Sequence, residues 1–492
     1  MSTPPPPCAS LPHEPLPDEP LPDEVDALVV GGGVVGCAIA AVLSRGSLDV
    51  LVVEQHDDVC EGTSKANTAI LHTGFDCVPG SLESQLVARG HRLLSDYADG
   101  AGIALERTGA LVVAWDAVQR DELPGLLEKA RSNGYDAARI LDTDELRTRE
   151  PGLGPGALAA LQVPDEAIID PWSPVLAFAL EALAGGVRIS LGTRLLGVGS
   201  RDGRRLVATS RGEVRCRWLI NAAGLDADLI DVECGHGDFR VTPRRGELLV
   251  LDKSARPLVG SIILPVPTPA TKGVLVAPTV FGNLLVGPTA DDLEDRGATA
   301  TTEPGLERLL GAGGRLVPAL RHHEVTAAYA GLRAATEWRD YQIHLHPGEG
   351  YVCVGGIRST GLTASLAIAE HVADLLVADG CEGAGRRGSA RPPTMPPLGE
   401  GQRRPSQDPE RIAADPAYGE ILCHCEQVSA GELRDACGGP LGARSPGGLR
   451  RRTRAMNGRC QSFFCGARVL AMLAEGSGRS VAELTGLTGP TP

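Results

Sequence analysis

At 492 residues and 42% hydrophobic content, the chain is long enough for about two to four domains with real cores, and 3% aromatics leave their packing to Val, Leu, Ala and Ile. A formal net charge of −15 argues against nucleic acid or an anionic membrane as partner. Thirteen cysteines over such a length are not a disulfide scaffold, and the N-terminus shows neither a basic region nor an apolar leader, so a reducing cytoplasm is expected.

Residues 1–24 are rich in proline, carry five acids and no Lys or Arg, and read as a disordered tail. The stretch Asp26–Glu54 then spells a strand (Ala27–Val30), a glycine turn, a helix from Val34 to about Leu43, and a second strand (Val50–Val53). This holds the longest apolar run, broken by four glycines, so no transmembrane helix is expected. Small and polar residues fill Gly62–Thr68, and His72 follows between apolar residues and Gly74. Helices are expected over residues 82–100, 121–133 and 175–184, with strands at 111–115 and 187–191; residues 150–174 read as Pro/Gly-rich loop. Paired strands fill Val207–Asn221, ending in small residues up to Gly224. Short strand candidates between residues 240 and 290 are separated by Pro, Gly and Thr, the mark of a mainly antiparallel sheet. A helix is expected over 303–320, strands at 329–333, 343–345 and 351–354, and a last long helix over 363–378. Residues 381–418 lose apolar periodicity and read as a linker, 419–475 as a separate small unit, and 476–492 as a tail.

The glycine turn fits G-x-G-x-x-G. Gly31 permits the tight turn, Gly33 lets backbone approach a pyrophosphate, and Gly36 lets helix and strand pack closely. The helix start offers free N–H groups and a positive dipole end to phosphates. Glu54, 23 positions after Gly31, is placed to accept hydrogen bonds from a ribose diol, which disfavours NADP but does not separate FAD from NAD. From the residues alone, His72 reads as a core or loop histidine with a satisfied ring before it reads as a functional one.

Near the C-terminus, Cys423-x-Cys425 and Cys460-x4-Cys465 stand 34 residues apart. Four thiolates from two short turns can bind a [2Fe–2S] cluster or Zn2+. C-x-C is an uncommon zinc spacing, and a neighbouring redox site gives a one-electron acceptor a purpose. Arg450, Arg451, Arg452, Arg454 and Arg459 crowd the same stretch. Nucleic-acid binding and neutralisation of an anionic cluster both fit such a run, and the overall acidity favours the second.

With these residues in view, the chain resembles the FAD-dependent oxidoreductases of the D-amino-acid oxidase superfamily, in the branch of the anaerobic glycerol-3-phosphate dehydrogenase large subunit and L-2-hydroxyglutarate oxidase. The resemblance runs over about residues 25–380 and is carried by Gly31–Gly36, Ala66–Gly74, Pro243–Glu247, Lys272–Thr289, Ala330–Ala334 and Gly355–Glu370. A second one, to ferredoxin domains of the bacterioferritin-associated type, covers 419–475, with Ser462 standing where a glycine commonly follows the glutamine. The implied fold is α/β: a Rossmann-like, three-layer FAD-binding domain, an inserted mainly antiparallel substrate sheet (roughly 85–175 and 235–330) and a small helical [2Fe–2S] domain. The implied cofactor is non-covalent FAD, its adenosine end at Gly31–Glu54 and its flavin end near Asn67, Thr68, Gly224, Gly356, Arg358, Gly361, Leu362 and Thr363. His72 becomes the candidate base for a hydroxyl proton, and Arg333 the grip on an anionic substrate, with Arg245 and Arg358 as further anion-site candidates.

The expected activity is therefore a dehydrogenase for a small anionic secondary alcohol, glycerol 3-phosphate or a 2-hydroxy acid. Electrons would leave through Cys423, Cys425, Cys460 and Cys465 to a quinone or a redox protein, with a companion subunit or peripheral membrane contact left open. An amine or amino-acid dehydrogenase, and a non-catalytic electron-transfer or sensing subunit, are the rival readings.

Overall fold

The computed structural model describes residues 20–267, 273–385 and 388–486. The expected N-terminal tail lies outside the described residues up to residue 19, and Glu24 already begins a strand. Residues 487–492 of the expected C-terminal tail also lie outside them.

Two large sheets organise the molecule. In the first, Glu24–Val30 lies between Val50–Val53 and Gly212–Asn221, parallel to both, and Arg188–Ser190 extends the parallel array beyond Val50–Val53. On the far side of Gly212–Asn221, its second half pairs in parallel with Tyr351–Gly355 and its first half antiparallel with Arg204–Thr209. The Glu24–Val30 strand is apolar and buried on both faces beyond its first residues, as a central parallel strand must be. The helix Val34–Leu43 is buried at nine of its ten positions and packs against Gly361–Ala378 and Ser173–Ala184. Gly361–Ala378 has the length and hydropathy of a membrane span, but 61% of that window is buried inside the protein.

The second sheet is antiparallel apart from one parallel pair, Ile262–Pro265 with Ala110–Ala114. It runs from Val325–Thr336 through Val241–Leu251, Leu284–Gly287 and Leu275–Pro278 to Ala110–Ala114, Ala159–Val163 and Arg139–Leu141. A small third sheet joins Ile70–Leu71, Ala167–Ile169 and Leu105–Glu106. The strands Ala159–Val163 and Ala167–Ile169 fall where the sequence reads as loop. All their residues are buried, so no polar–apolar alternation marks them.

Residues 388–404 are irregular but packed, and a short helix, Pro409–Ala414, flanked by single helical turns follows. Met395 and Leu398 are buried against the oxidoreductase core, and the Met395 N–H donates to the Ala101 carbonyl (2.8 Å). The C-terminal unit is a hairpin (Ile421–Cys423 with Val428–Ser429) followed by helices Ala430–Cys437, Pro446–Thr453, Gly466–Ser477 and Val481–Thr485 around its own small core.

Candidate active site and cluster site

The dinucleotide turn has the geometry its glycines require. Gly31 sits at φ +109°, and a Cβ there would lie 2.6 Å from the Ala222 carbonyl oxygen. A Cβ on Gly36 would come within 1.9 Å of the Gly31 oxygen, so this glycine holds helix to turn. Gly33 differs: a Cβ there meets only the Ser64 hydroxyl, at 3.1 Å. It begins the helix, whose first turn has no acid and no side-chain cap at Gly33, while Val34 N–H donates to Ser64 Oγ (2.9 Å). Glu54 is buried at the end of its strand, accepting from Gly32 N–H (2.6 Å) and from His56 (2.7 Å at Nδ1). The hydrogen bond that His56 donates to Glu54 holds the imidazole above its usual range. A helix N-terminus free of acids, met at Val34 N–H only by the Ser64 hydroxyl, beside a buried carboxylate is a donor and acceptor set that fits a dinucleotide. Gly33→Val is therefore expected to leave the fold intact, since the one atom its Cβ crowds is the Ser64 hydroxyl, which can turn aside, and to yield protein with most of its flavin absorbance lost after purification; full flavin content would contradict this role.

The segment Thr63–His72 runs from this turn toward the second sheet. Asn67 accepts from Ala69 N–H (2.7 Å) and donates to the Ser64 carbonyl (2.9 Å), and Thr68 is half-buried beside it. His72 closes the segment. Its N–H donates to Thr363 Oγ1 (3.0 Å), near the start of Gly361–Ala378, and its Nδ1 lies 3.1 Å from Glu166 Oε2. Glu166 is almost fully buried and also accepts from Thr73 N–H (2.6 Å) and Thr73 Oγ1 (2.9 Å). A carboxylate can only accept here, so Nδ1 carries the proton and Nε2 presents its lone pair. Strand register makes the pair. Leu71 faces Ala167, so the next residue along, His72, meets the preceding one, Glu166. The sequence reading missed Glu166 because it missed that strand; the acid three residues past a buried run was its only trace.

Arg333 lies in Val325–Thr336 directly opposite Arg244. Tyr329, Gly331 and Arg333 alternate onto one face, and that face meets the same segment. Tyr329 OH donates to the Asn67 carbonyl (2.8 Å), and a Cβ on Gly331 would strike the Ala66 oxygen. Arg244 forms a two-bond ion pair with Asp292, whereas Arg333 donates only to the Thr289 carbonyl (2.7 Å), and among the described residues no carboxylate lies within ion-pair distance of it. Burial, and then the neighbouring Arg244, lower its pKa to about 10, so it stays charged at neutral pH while under-compensated. Arg245 projects from the opposite face and donates to the Ala300 carbonyl (3.4 Å). Arg358 is neutralised by Glu83 (2.6 Å), a carboxylate that also accepts from Thr360 Oγ1 (2.9 Å). Gly356 and Gly224 adopt left-handed backbone (φ +66° and +60°), Gly361 opens the last long helix, and Leu362 and Thr363 are buried in its first turn.

In the C-terminal unit the four cysteines come together as two neighbouring pairs, Cys425 with Cys460 and Cys423 with Cys465, each close enough to shift its partner's titration. Cys423 ends the first strand of the hairpin, Cys425 lies in its turn, and Cys465 precedes the helix Gly466–Ser477 at its N-cap. Phe463 N–H donates to the Cys460 carbonyl (2.9 Å), and the backbone N–H groups of this turn, that of Phe464 first, draw the Cys460 thiol below its usual range despite burial. Among the described residues no three donors converge as one metal ion requires, whereas two thiolates per iron suit a two-iron cluster. Ser462 pays a backbone cost for standing where glycine is usual, at φ +72°. Ser462→Gly is expected to stabilise the cluster loop by about 1 kcal/mol, read as a higher midpoint for loss of the cluster on heating.

The parallel sheet, its glycine turn and the inserted antiparallel sheet define a flavin-dependent oxidoreductase. The chain belongs to the FAD dependent oxidoreductase family, which matches residues 26–375, and the BFD-like [2Fe-2S] binding domain matches residues 421–475. Its cofactors are FAD and a [2Fe–2S] cluster, not the zinc held as an alternative. Over 481 residues it is 34% identical to a glycerol 3-phosphate dehydrogenase of Caloramator mitchellensis, covering 95% of this chain and 98% of that one. A human mitochondrial L-2-hydroxyglutarate dehydrogenase is 30% identical over 282 residues, covering 54% of this chain and 60% of that protein. Among solved structures, the dithionite-reduced, FAD-bound L-α-glycerophosphate oxidase of Mycoplasma pneumoniae aligns with a TM-score of 0.68 at 32% identity, over 72% of this chain and 95% of its own.

Proposed function

We propose that the enzyme oxidises glycerol 3-phosphate at its secondary alcohol and passes the electrons singly through the cluster to a quinone or a redox protein. The observation that carries this is Arg333, which has no carboxylate in ion-pair contact and feels Asp292 only from a distance, facing the segment that ends in the His72–Glu166 pair. A planar guanidinium with no carboxylate partner suits a phosphate. A histidine oriented by a buried carboxylate suits removal of a hydroxyl proton. Similarity to a glycerol 3-phosphate dehydrogenase through the cluster unit supports the same substrate.

Gly31–Gly36, Ser64 and Glu54 would hold the adenosine and pyrophosphate, and Asn67, Gly356 and Thr363 the flavin end. FAD, when bound, supplies the acceptor for the hydride that leaves the alcohol carbon. His72 Nε2 takes the hydroxyl proton as that hydride departs, and Glu166 stabilises the imidazolium that forms. Arg333 holds the anionic end, which fixes the carbon relative to His72. A 2-hydroxy acid is the second reading, favoured by the likeness to L-2-hydroxyglutarate dehydrogenase, because a carboxylate suits Arg333 equally.

The test is anaerobic bleaching of the flavin by glycerol 3-phosphate, L-2-hydroxyglutarate and secondary amines in parallel. Glycerol 3-phosphate is expected to bleach fastest. Bleaching by amines alone would overturn the assignment.

A further inference from the structure

The arginine run of the C-terminal unit has a use other than nucleic acid or cluster neutralisation. Arg451 and Arg452, on the helix Pro446–Thr453, are buried, their side chains 9% and 7% exposed. Both reach out of their own unit. Arg452 makes two hydrogen bonds to Asp58 (2.7 Å to each oxygen), and Arg451 donates to Asp58 Oδ2 (3.1 Å) and pairs with Glu61. Asp58 is 2% exposed, so neither side of this contact is a surface ion pair. Burial pushes the Glu61 carboxyl up, but Arg451 and Lys65 outweigh it and hold the group below its usual range.

The position of the acids gives the contact its meaning. Asp58 and Glu61 lie between Glu54, at the ribose end, and Ser64, which caps the dinucleotide helix. Cys60 N–H, between the two acids, donates to the Gly32 carbonyl (2.9 Å), so the loop is pinned to the glycine turn itself. On the other side, Gly448 lets the helix come close: a Cβ there would lie 2.5 Å from Asp58 Oδ2. Beside the pair, Arg454 stacks on Phe281 of the substrate-side sheet, 4.0 Å from the ring centre.

We propose that Asp58, Glu61, Arg451 and Arg452 form a buried clasp that locks the cluster unit onto the cofactor loop, making it a fixed electron outlet and not a tethered, swinging carrier. The clasp residues are positioning residues and touch no substrate. The two electrons from each alcohol leave in two successive single-electron transfers through the cluster, and no bond is made or broken at the clasp. Removing one partner of a buried pair leaves an uncompensated charge, which shifts a docked-to-undocked ratio about a hundredfold or more. The electron-outlet role rests on the proposed function; the locked docking does not.

The test uses the full-length holoenzyme with Asp58→Asn and Gly448→Ala. The second variant removes a helix-weakening glycine, so it does not weaken its own helix, yet it pushes the helix off Asp58. Amide hydrogen exchange in residues 56–62 and 446–454 is expected to rise about tenfold or more in both variants, with iron, sulfide and FAD content retained. In stopped flow, flavin bleaching by glycerol 3-phosphate is expected to keep its rate while reduction of the cluster slows about tenfold. Unchanged exchange in both variants overturns the clasp, as does loss of FAD in Asp58→Asn with unchanged exchange in Gly448→Ala. If the wild-type flavin is not bleached by glycerol 3-phosphate, the functional reading fails while the exchange data still decide the docking.

Discussion

His72→Ala is expected to lower kcat for glycerol 3-phosphate by about 10²–10⁴-fold, the usual worth of a positioned general base. The imidazole makes no contact on which the core depends. It is part-exposed and its ring has one partner, Glu166, so the loss should fall on turnover and not on stability. Glu166→Gln separates base from orienter. The amide keeps the size of the side chain but not its charge, so the proton-bearing Nδ1 faces a weaker acceptor and the imidazolium loses its counter-charge. A fall in kcat of about tenfold with a shifted pH–rate profile is expected, with KM little changed. Equal losses of kcat and of thermal stability in both variants would show that the pair is structural. A His72→Ala enzyme that bleached at the wild-type rate would remove histidine from the chemistry altogether.

Which parts of this site the sequence revealed follows from the range of the interactions. The glycine turn and Glu54 are local or nearly so: the turn needs three glycines at fixed spacing, and the acid ends the next strand of the same β-α-β unit. The cysteines announce themselves by paired spacing. Arg333 was legible through the resemblance, but its meaning was not: only the register that sets it opposite Arg244, and the hydrogen bonding of Asp292 to Arg244, leave it without a direct ion-pair partner. Glu166 was hidden because its strands are buried throughout and so carry no alternation. The arginine run was visible as charge, but not the partners of Arg451 and Arg452. Pairing Arg452 with Asp58 spans 394 positions in sequence, and no periodicity reports such a contact. Likewise, residues 388–418 lack any apolar pattern and still bury Met395 and Leu398, because single side chains fill gaps in a core built by other elements.

The second large effect belongs to Arg333. Arg333→Ala is expected to raise KM for glycerol 3-phosphate by about 30- to 150-fold, since a charge-assisted contact made by a partly buried guanidinium contributes roughly 2–3 kcal/mol to holding an anion. The fold should tolerate the change. The side chain gives the protein a single hydrogen bond, to the Thr289 carbonyl, and its removal relieves repulsion from Arg244. Thermal stability is therefore expected to hold or rise, which a structural salt bridge would not allow. Arg333→Lys keeps the charge but loses the planar fork, and should recover part of the affinity and not all of it. Glycerol, which lacks the phosphate, supplies the control: its slow turnover should be nearly indifferent to Arg333→Ala, because the lost interaction was never made. If the variant reduced kcat/KM for glycerol and glycerol 3-phosphate by the same factor, Arg333 would be shaping the site and not binding the anion, and the phosphate would have to be held elsewhere.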